Sequence, residues 1–197
     1  MKLTKIAITG GIGSGKSLAL ATLKENGYCV LSSDQIVWEL YKKRCVLAKV
    51  KKLFPTAVNG LFRLTLNKSV LSELAFKNEA NHTALTSLIT PLVMKEIKAR
   101  LKGKTGVYFV EVPLLFECSY QDYFDGVWVI MRDKNTRINA VKQRSNLSEQ
   151  EIIRRMNRQV DYNDIDFSSY TVLYNDLDVD AFKQQLLLKA SLIKNKA

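Results

Sequence analysis

The amino-acid sequence predicts an α/β fold, a doubly wound five-stranded parallel sheet. Two observations support this prediction. Short apolar runs alternate along the chain with segments of helical periodicity, which is the order of elements in parallel α/β proteins. The runs are hydrophobic almost throughout, as expected of strands that helices cover on both faces. The predicted strands are residues 6–9, 28–31, 107–112, 127–131 and 171–174.

The composition is that of an ordinary folded protein. Of the 197 residues, 47% are hydrophobic and 25% are charged, which excludes intrinsic disorder. No apolar run has the length of a membrane span, and the N-terminal residues do not read as a secretion signal. We therefore expect one cytoplasmic domain with no membrane partner. We also expect a monomer, although the composition does not determine the oligomeric state.

Basic residues outnumber acidic residues by 30 to 19, which gives a net charge of +11. Residues 40–72 contain eight Lys and Arg residues and no Asp or Glu, and a second basic concentration extends over residues 132–158. Such a surface attracts phosphorylated metabolites or nucleic acids. Solvated helix faces would account for about half of these charges.

Residues 10–17 read G-G-I-G-S-G-K-S and satisfy the Walker A pattern. The segment lies between a predicted strand and a predicted helix over residues 17–26, which is the context that the motif requires. Its glycines let backbone amides face a phosphate, and the helix N-terminus adds a positive dipole end. We expect Lys16 to reach the β- and γ-phosphates of ATP and the Ser17 hydroxyl to bind Mg²⁺. The predicted ATP contacts here are Gly11, Ile12, Gly13, Ser14, Gly15, Lys16, Ser17 and Leu18.

Two helical segments interrupt the predicted sheet. Residues 35–102 are too long for a simple crossover and are predicted to be a helical substrate-binding insertion. Residues 133–160 are predicted to form a helical lid, in which Ser148 and Glu151 have the spacing of a capping box. The nucleotide-binding core then comprises residues 1–34, 103–132 and 161–197.

Asp34 follows the second predicted strand. Open α/β sheets bind their ligands at the carboxyl ends of strands, so this carboxylate could accept the proton of an attacking hydroxyl. The alternative is that Asp34 caps the helix predicted over residues 35–42. One residue could orient both groups.

The loop at residues 9–17, Asp34 and the segment V-P-L-L-F-E at residues 112–117 together resemble the dephospho-CoA kinase family. The resemblance covers nearly the whole chain. It implies an enzyme with the fold of a P-loop kinase that transfers the γ-phosphate of ATP to the ribose 3′-hydroxyl of dephospho-CoA. That reaction is the last step of coenzyme A synthesis. Further matches to the family are Gly60 to Arg63, Pro91 with Leu92, Arg144 with Gln159, and Asn175.

The resemblance also implies roles for individual residues. Asp34 would be the catalytic base, acting with Lys16 and with Arg144 as the lid arginine. Asn175 would lie at the ATP site, and Arg63 could meet the pyrophosphate of the acceptor. The remaining substrate contacts would be Pro113, Leu114 and Glu117, although Glu117 could also be a helix-surface residue.

Arginines of the predicted lid are candidates to neutralise charge on the transferred phosphoryl group, because guanidinium groups match phosphate oxygens. They are Arg137, Arg144 and Arg158, and each could equally be a solvated surface residue. Glu111 ends an apolar strand as a Walker B carboxylate does and is predicted to support the metal. The alternative for Glu111 is a buried structural carboxylate paired with a lysine.

The sequence departs from the family pattern at four positions. Ser32 replaces the first Asp of a D-x-D segment, Leu18 replaces Thr, Thr90 replaces His, and Asp176 replaces Gly. Because position 32 has no carboxylate, Asp34 and Glu111 would contribute more to orienting the metal and the acceptor.

Two other functions fit part of the sequence. A different small-metabolite or nucleoside monophosphate kinase would share the loop and the lid but bind another acceptor in residues 35–102. A nucleic-acid-binding nucleotide switch would explain the basic stretch, but the sequence contains no recognisable nucleic-acid-binding motif. Because dephospho-CoA is itself a polyanion, we expect no nucleic-acid partner.

Overall fold

The structure, a computed structural model, describes residues 2–145, 147–176 and 178–194. Strands and helices alternate along much of the chain, in the order β1 (Leu3–Thr9), α1 (Lys16–Glu25), β2 (Cys29–Ser32), α2 (Ser33–Leu40), α3 (Arg44–Leu53), β3 (Val58–Asn59), β4 (Thr65–Leu66), α4 (Lys68–Lys77), α5 (Glu79–Leu101), β5 (Gly106–Glu111), β6 (Gly126–Met131), α6 (Lys134–Arg144), α7 (Glu149–Met156), β7 (Thr171–Tyr174) and α8 (Val179–Lys194).

Five strands form one sheet in the order β2, β5, β1, β6, β7, and all neighbouring strands are parallel. The predicted α/β fold with a five-stranded parallel sheet is therefore confirmed. Strand β1 is central, so its carboxyl end lies between those of β5 and β6. This edge is where open parallel sheets bind their ligands.

The predicted strands are all present, but β1 begins earlier than its apolar run. It starts at Leu3, and Thr4 and Lys5 pair with Val107 and Tyr108 of β5. Backbone groups make these hydrogen bonds whatever the side chain, so the apolar run marks only the covered part of the strand.

The chain divides into two compact units. The first comprises the described residues up to Ser32 and from Gly103 onward, and it contains the five-stranded sheet. Helix α1 packs against α8, and both cover a buried core that includes Leu23, Phe109 and Trp128. The ring of Phe109 lies 5.0 Å from that of Trp128 and 5.5 Å from that of Tyr28.

Helices α6 and α7, in the predicted lid, pack on each other through a small apolar cluster. Its buried members are Ile138, Val141, Ile152 and Met156. The predicted capping box is confirmed, because the Ser148 side chain accepts from the Glu151 amide and the Glu151 carboxylate accepts from the Ser148 amide.

The second unit, Ser33–Lys102, contains helices α2 to α5 and the two-stranded β3–β4 sheet. Helix α5 packs against α2, α3 and α4. Near its end, Arg100 donates to Glu39 of α2 and to Glu96 of α5. The β3–β4 pair was not predicted, because strands of two residues are too short to show an alternating pattern.

Among the described helices, none combines the length and the hydrophobicity that crossing a bilayer requires.

We expect Phe109→Ala to lower the free energy of unfolding by about 3–5 kcal/mol, because it would leave a cavity in the centre of the first unit. Phe109 is 0% exposed, whereas Phe62 in the second unit is 86% exposed. Phe62→Ala is the matched control and should change stability by no more than about 0.5 kcal/mol. Urea unfolding of the three proteins measures both effects, and equal losses in the two variants would contradict this description of the core.

Candidate active site

The loop of residues 10–15 leaves the sheet at the carboxyl end of β1 and enters helix α1 at Lys16. Gly13 and Gly15 have φ angles of 80° and 106°, in the left-handed region that disfavours side chains. Gly15 is the N-cap of α1 and has no side chain with which to cap the first amides of the helix. No N-cap side chain therefore competes with an anion for those amides, as in other phosphate-binding loops.

The Lys16 side chain folds back across this loop. Its Nζ donates to the carbonyl oxygen of Gly10 at 2.6 Å and to that of Gly11 at 3.1 Å. Ser17 is the next residue of α1 and is exposed, whereas Leu18 is half-buried and packs against the core of the first unit. A fixed ammonium, a helix N-terminus and a loop of glycines form a fitting site for a polyphosphate.

Asn175 holds the phosphate loop through a hydrogen bond from its side chain. It directly follows β7 and is 3% exposed. Its backbone amide donates to the carbonyl oxygen of Met131 at 2.8 Å, and its side-chain Nδ2 donates to that of Ser14 at 2.8 Å. A Cβ atom on Gly15 would collide with this side chain. The predicted ATP-site residue Asn175 is thus placed where it holds the loop.

Ile12, at the tip of the loop, is held by two polar side chains. Its amide donates to Oε1 of Gln159 at 2.7 Å, and its carbonyl oxygen accepts from Nε of Arg137 at 2.9 Å. Burial lowers the pKa of the Arg137 guanidinium, while Tyr162, Asp133 and Asp161 act in the opposite direction. Arg137 therefore contacts the phosphate loop directly.

The other two lid arginines have different surroundings. Arg144 is the last residue of α6 and is exposed, and Arg158 follows α7 and is half-buried. Arg137, one of the three predicted candidates, is hydrogen-bonded to the loop.

Glu111 ends β5 and is 4% exposed. Its Oε2 accepts from the hydroxyl of Ser32 at 2.7 Å, and the two residues are register partners on β5 and β2. Ser32 stands where the family pattern has Asp, and an Asp there would bring a second carboxylate close to Glu111. The Ser32 hydroxyl instead orients the buried Glu111 carboxylate.

Glu117 lies in the turn after β5, in the segment that leads to β6. Its Oε1 accepts from the amide of Val160 at 3.1 Å. Burial raises the pKa of Glu117, while the hydrogen bonds from its own amide and that of Val160 and the charge of Lys16 lower it. Pro113 and Leu114, earlier in the same turn, are half-buried. Glu117 is thus within the electrostatic reach of the phosphate loop.

Tyr162 lies beneath the loop and was not predicted as a site residue. It is 6% exposed, and its hydroxyl lies 3.4 Å from Oγ1 of Thr9. Burial raises the pKa of Tyr162 to about 12, so it remains a neutral phenol at physiological pH. Tyrosine at this position has no local sequence signal, because its role depends on long-range packing.

A cavity of about 500 Å³ opens in the first unit where β6 leads into α6. The residues that follow α7 form its other wall. The cavity is polar, and residues from both walls line it, among them Arg132, Asp133, Arg137, Asn157, Gln159 and Asp161. Arg137 and Gln159 therefore connect this cavity with the phosphate loop.

Two further departures from the family pattern can be placed. Asp176 accepts a hydrogen bond from the amide of Asp133 at 2.6 Å, and Asp133 is the N-cap of α6. Asp176 thus joins the segment after β7 to the start of α6. Thr90 lies within helix α5 of the second unit.

In the second unit, Asp34 lies in the first turn of α2 and is exposed. The helix begins one residue earlier, at Ser33, so the alternative prediction of Asp34 as an N-cap is wrong. Its negative charge nevertheless favours the helix N-terminus. Arg63 is exposed between strands β3 and β4.

We expect the free energy of unfolding of Glu117→Gln to increase relative to that of the wild-type protein as the pH rises. The folded-state pKa of Glu117 is raised above its ordinary value of 4.5, so folding favours the protonated form. The stability that this provides is present below the ordinary pKa and is lost as the pH rises through the folded-state value. Glutamine does not ionise and avoids that loss.

Urea unfolding between about pH 4 and pH 8 measures the difference, with exposed Glu25→Gln as the control. A Glu117→Gln difference that is constant with pH, or that moves in the opposite direction, would contradict the raised pKa.

Comparison with known proteins identifies the family. The dephospho-CoA kinase family model matches residues 4–181. A dephospho-CoA kinase from Streptococcus mutans is 30% identical over 204 residues, covering 98% of this chain and 100% of the relative. A dephospho-CoA kinase from Streptococcus agalactiae is 30% identical over 191 residues, covering 94% of this chain and 97% of the relative.

Solved structures share the fold of this chain. The crystal structure of TT1252 from Thermus thermophilus has a TM-score of 0.80 and 30% identity, with 98% of both chains covered. A dephospho-CoA kinase from Campylobacter jejuni has the same fold, with a TM-score of 0.68, 21% identity and 98% coverage of both chains. The chain is a kinase and belongs to the dephospho-CoA kinase family.

Proposed function

We propose that this protein transfers the γ-phosphate of ATP to the ribose 3′-hydroxyl of dephospho-CoA, giving coenzyme A and ADP. The observation that carries the proposal is the family match over residues 4–181, which includes both the phosphate loop and the V-P-L-L-F-E turn. The reaction is the last step of coenzyme A synthesis.

ATP phosphates are proposed to bind at the loop of residues 10–15. The left-handed glycines turn the backbone there, and the N-terminus of α1 presents its first amides to an anion. Lys16 already lies across the loop and adds a full positive charge. Asn175 holds the loop from behind through the carbonyl of Ser14. These features support Lys16 and the loop amides as the donor side of the site.

Oxygen donors fit a Mg²⁺ ion, which is a hard cation and takes only one or two carboxylates from a protein. The exposed Ser17 hydroxyl in the first turn of α1 would hold the metal directly. Glu111, oriented by Ser32, would support it. When bound, Mg²⁺ would neutralise part of the charge on the phosphates.

The acceptor hydroxyl is proposed to lose its proton to Asp34, an exposed carboxylate in the first turn of α2. The hydroxyl oxygen forms a bond to the γ-phosphorus, and the bond from that phosphorus to the β-phosphate oxygen breaks. Because charge on the transferred group dominates this reaction, Asp34 would act largely by positioning the acceptor. Arg144, at the end of α6, is proposed as the lid arginine.

Arg63 is proposed to bind the acceptor's pyrophosphate, and Pro113, Leu114 and Glu117 to complete the acceptor contacts. The proposal also takes residues 133–160 as a lid and residues 35–102 as the acceptor-binding part of the chain. We further propose a cytoplasmic monomer without a nucleic-acid or membrane partner.

We expect ATP-dependent phosphorylation of dephospho-CoA and no turnover of its 3′-deoxy analogue, which lacks the attacking hydroxyl. An ADP-release assay with ATP, and with dephospho-CoA, the analogue or AMP as acceptor, measures this. Equal turnover of the 3′-deoxy analogue would exclude the proposed acceptor group. Faster turnover of AMP would favour a nucleoside monophosphate kinase.

We expect Lys16→Ala and Asp34→Asn to separate donor binding from acceptor activation. Lys16→Ala should weaken ATP binding at least tenfold, because a charge-assisted contact to phosphate is lost. Asp34→Asn should lower kcat by about 10²-fold or more and leave ATP binding nearly unchanged. Calorimetric titration with ATP and steady-state kinetics with dephospho-CoA make the two measurements.

The matched controls are exposed residues of the same type, Lys24→Ala on the same helix as Lys16 and Asp122→Asn for Asp34. Both controls should behave as the wild-type protein. Wild-type turnover by Asp34→Asn would overturn its role as the base.

A further inference from the structure

Ile12 is attached to helices α6 and α7 in three ways. Its amide donates to Gln159, its carbonyl oxygen accepts from Arg137, and its side chain packs against the apolar cluster between the two helices. The residue is part of the phosphate loop, so three kinds of contact connect the loop tip to the predicted lid.

The two polar partners lie at the beginning and at the end of the chain segment that forms α6 and α7. Arg137 lies in the first turn of α6, and Gln159 lies just beyond the end of α7. The start of α6 and the residues after α7 therefore both hydrogen-bond to the same loop residue. A movement of either helix would be transmitted to the backbone of Ile12, because both of its peptide groups are hydrogen-bonded there.

The glycines on either side of Ile12 leave room for Arg137. A Cβ atom on Gly11 would collide with the Arg137 guanidinium, and one on Gly13 would lie 2.6 Å from the Arg137 carbonyl oxygen. The absence of side chains at these positions therefore serves the close approach of Arg137 as well as the turn of the loop.

The amide of Ile12 donates a hydrogen bond to Oε1 of Gln159 at 2.7 Å. It is consequently not among the amides that the loop offers to a phosphate in this conformation. Its partner is a neutral carboxamide oxygen, which accepts the hydrogen bond without placing a negative charge beside the phosphates. A part-buried amide that lost this partner would gain freedom to move, and the loop tip would move with it.

We propose that Gln159 and Arg137 are positioning residues for phosphoryl transfer that act through Ile12 to set the geometry of the phosphate loop. This inference rests on the proposed function, because it assumes that the loop binds ATP. It assigns to Gln159 a role in ATP use that does not require contact with the nucleotide.

The test compares Gln159→Leu, which removes the acceptor, with Gln159→Glu, which keeps an acceptor oxygen. Gln143→Leu, at an exposed position of α6, is the matched control. Hydrogen exchange of the Ile12 amide, measured by NMR, should be at least tenfold faster in Gln159→Leu than in the other two variants. The kcat/KM for ATP should fall about tenfold in Gln159→Leu and stay at the wild-type value in Gln143→Leu.

The thermal unfolding midpoint of Gln159→Leu should remain well above the assay temperature, so that the protein is folded in every assay and the loss of activity is due to positioning. If Gln159→Leu does not fold, Gln159→Met removes the acceptor with an unbranched side chain and the same results are expected. Wild-type exchange of the Ile12 amide, or wild-type kcat/KM for ATP, in the acceptor-free variant would overturn the inference.

Calorimetric titration with ATP keeps this test independent of the acceptor. Gln159→Leu should bind ATP about tenfold more weakly than Gln143→Leu, whichever acceptor the enzyme uses. Failure of the wild-type protein to phosphorylate dephospho-CoA would contradict the proposed function alone. Unchanged ATP affinity in Gln159→Leu would contradict the positioning role alone.

Discussion

The backbone course of residues 10–15 is the constraint on which the rest of the candidate site depends. Amides can face a phosphate there only if Gly13 and Gly15 take left-handed conformations, and glycines bring no side chains to hold the loop in place. The support comes from distant segments. Asn175 binds the loop from behind, and Arg137 and Gln159 bind its tip. The loop is therefore shaped by the ends of β7, α6 and α7 as much as by its own glycines.

Two carboxylates near the loop each accept a hydrogen bond from a specific neighbour. Glu111 accepts from Ser32, and Glu117 accepts from the Val160 amide. Burial of a carboxylate is costly unless hydrogen bonds compensate for the lost water. The change from Asp to Ser at position 32 fits this requirement, because the register of β2 and β5 places residue 32 beside Glu111. The motif does not reveal this contact between Ser32 and Glu111.

Elements that depend on local sequence were predicted well. The five sheet strands were found because each reads as an apolar run, and the capping box at Ser148 was found because its contacts span three residues. Predictions failed where the local signal was short or ambiguous. The β3–β4 pair has strands of two residues, and Asp34 lies inside a helix turn and not at its cap.

The sequence by itself determined the fold class, the family and the position of the phosphate loop, because apolar periodicity and the spacing of glycines act over short distances. Only the tertiary structure showed that Gln159, Arg137 and Tyr162 surround that loop, since they lie far from it along the chain. It likewise decided that Arg137, rather than Arg144, hydrogen-bonds to the loop. A cluster of arginines in sequence does not say which one is turned inward, because that choice depends on how α6 packs against α7 and the phosphate loop.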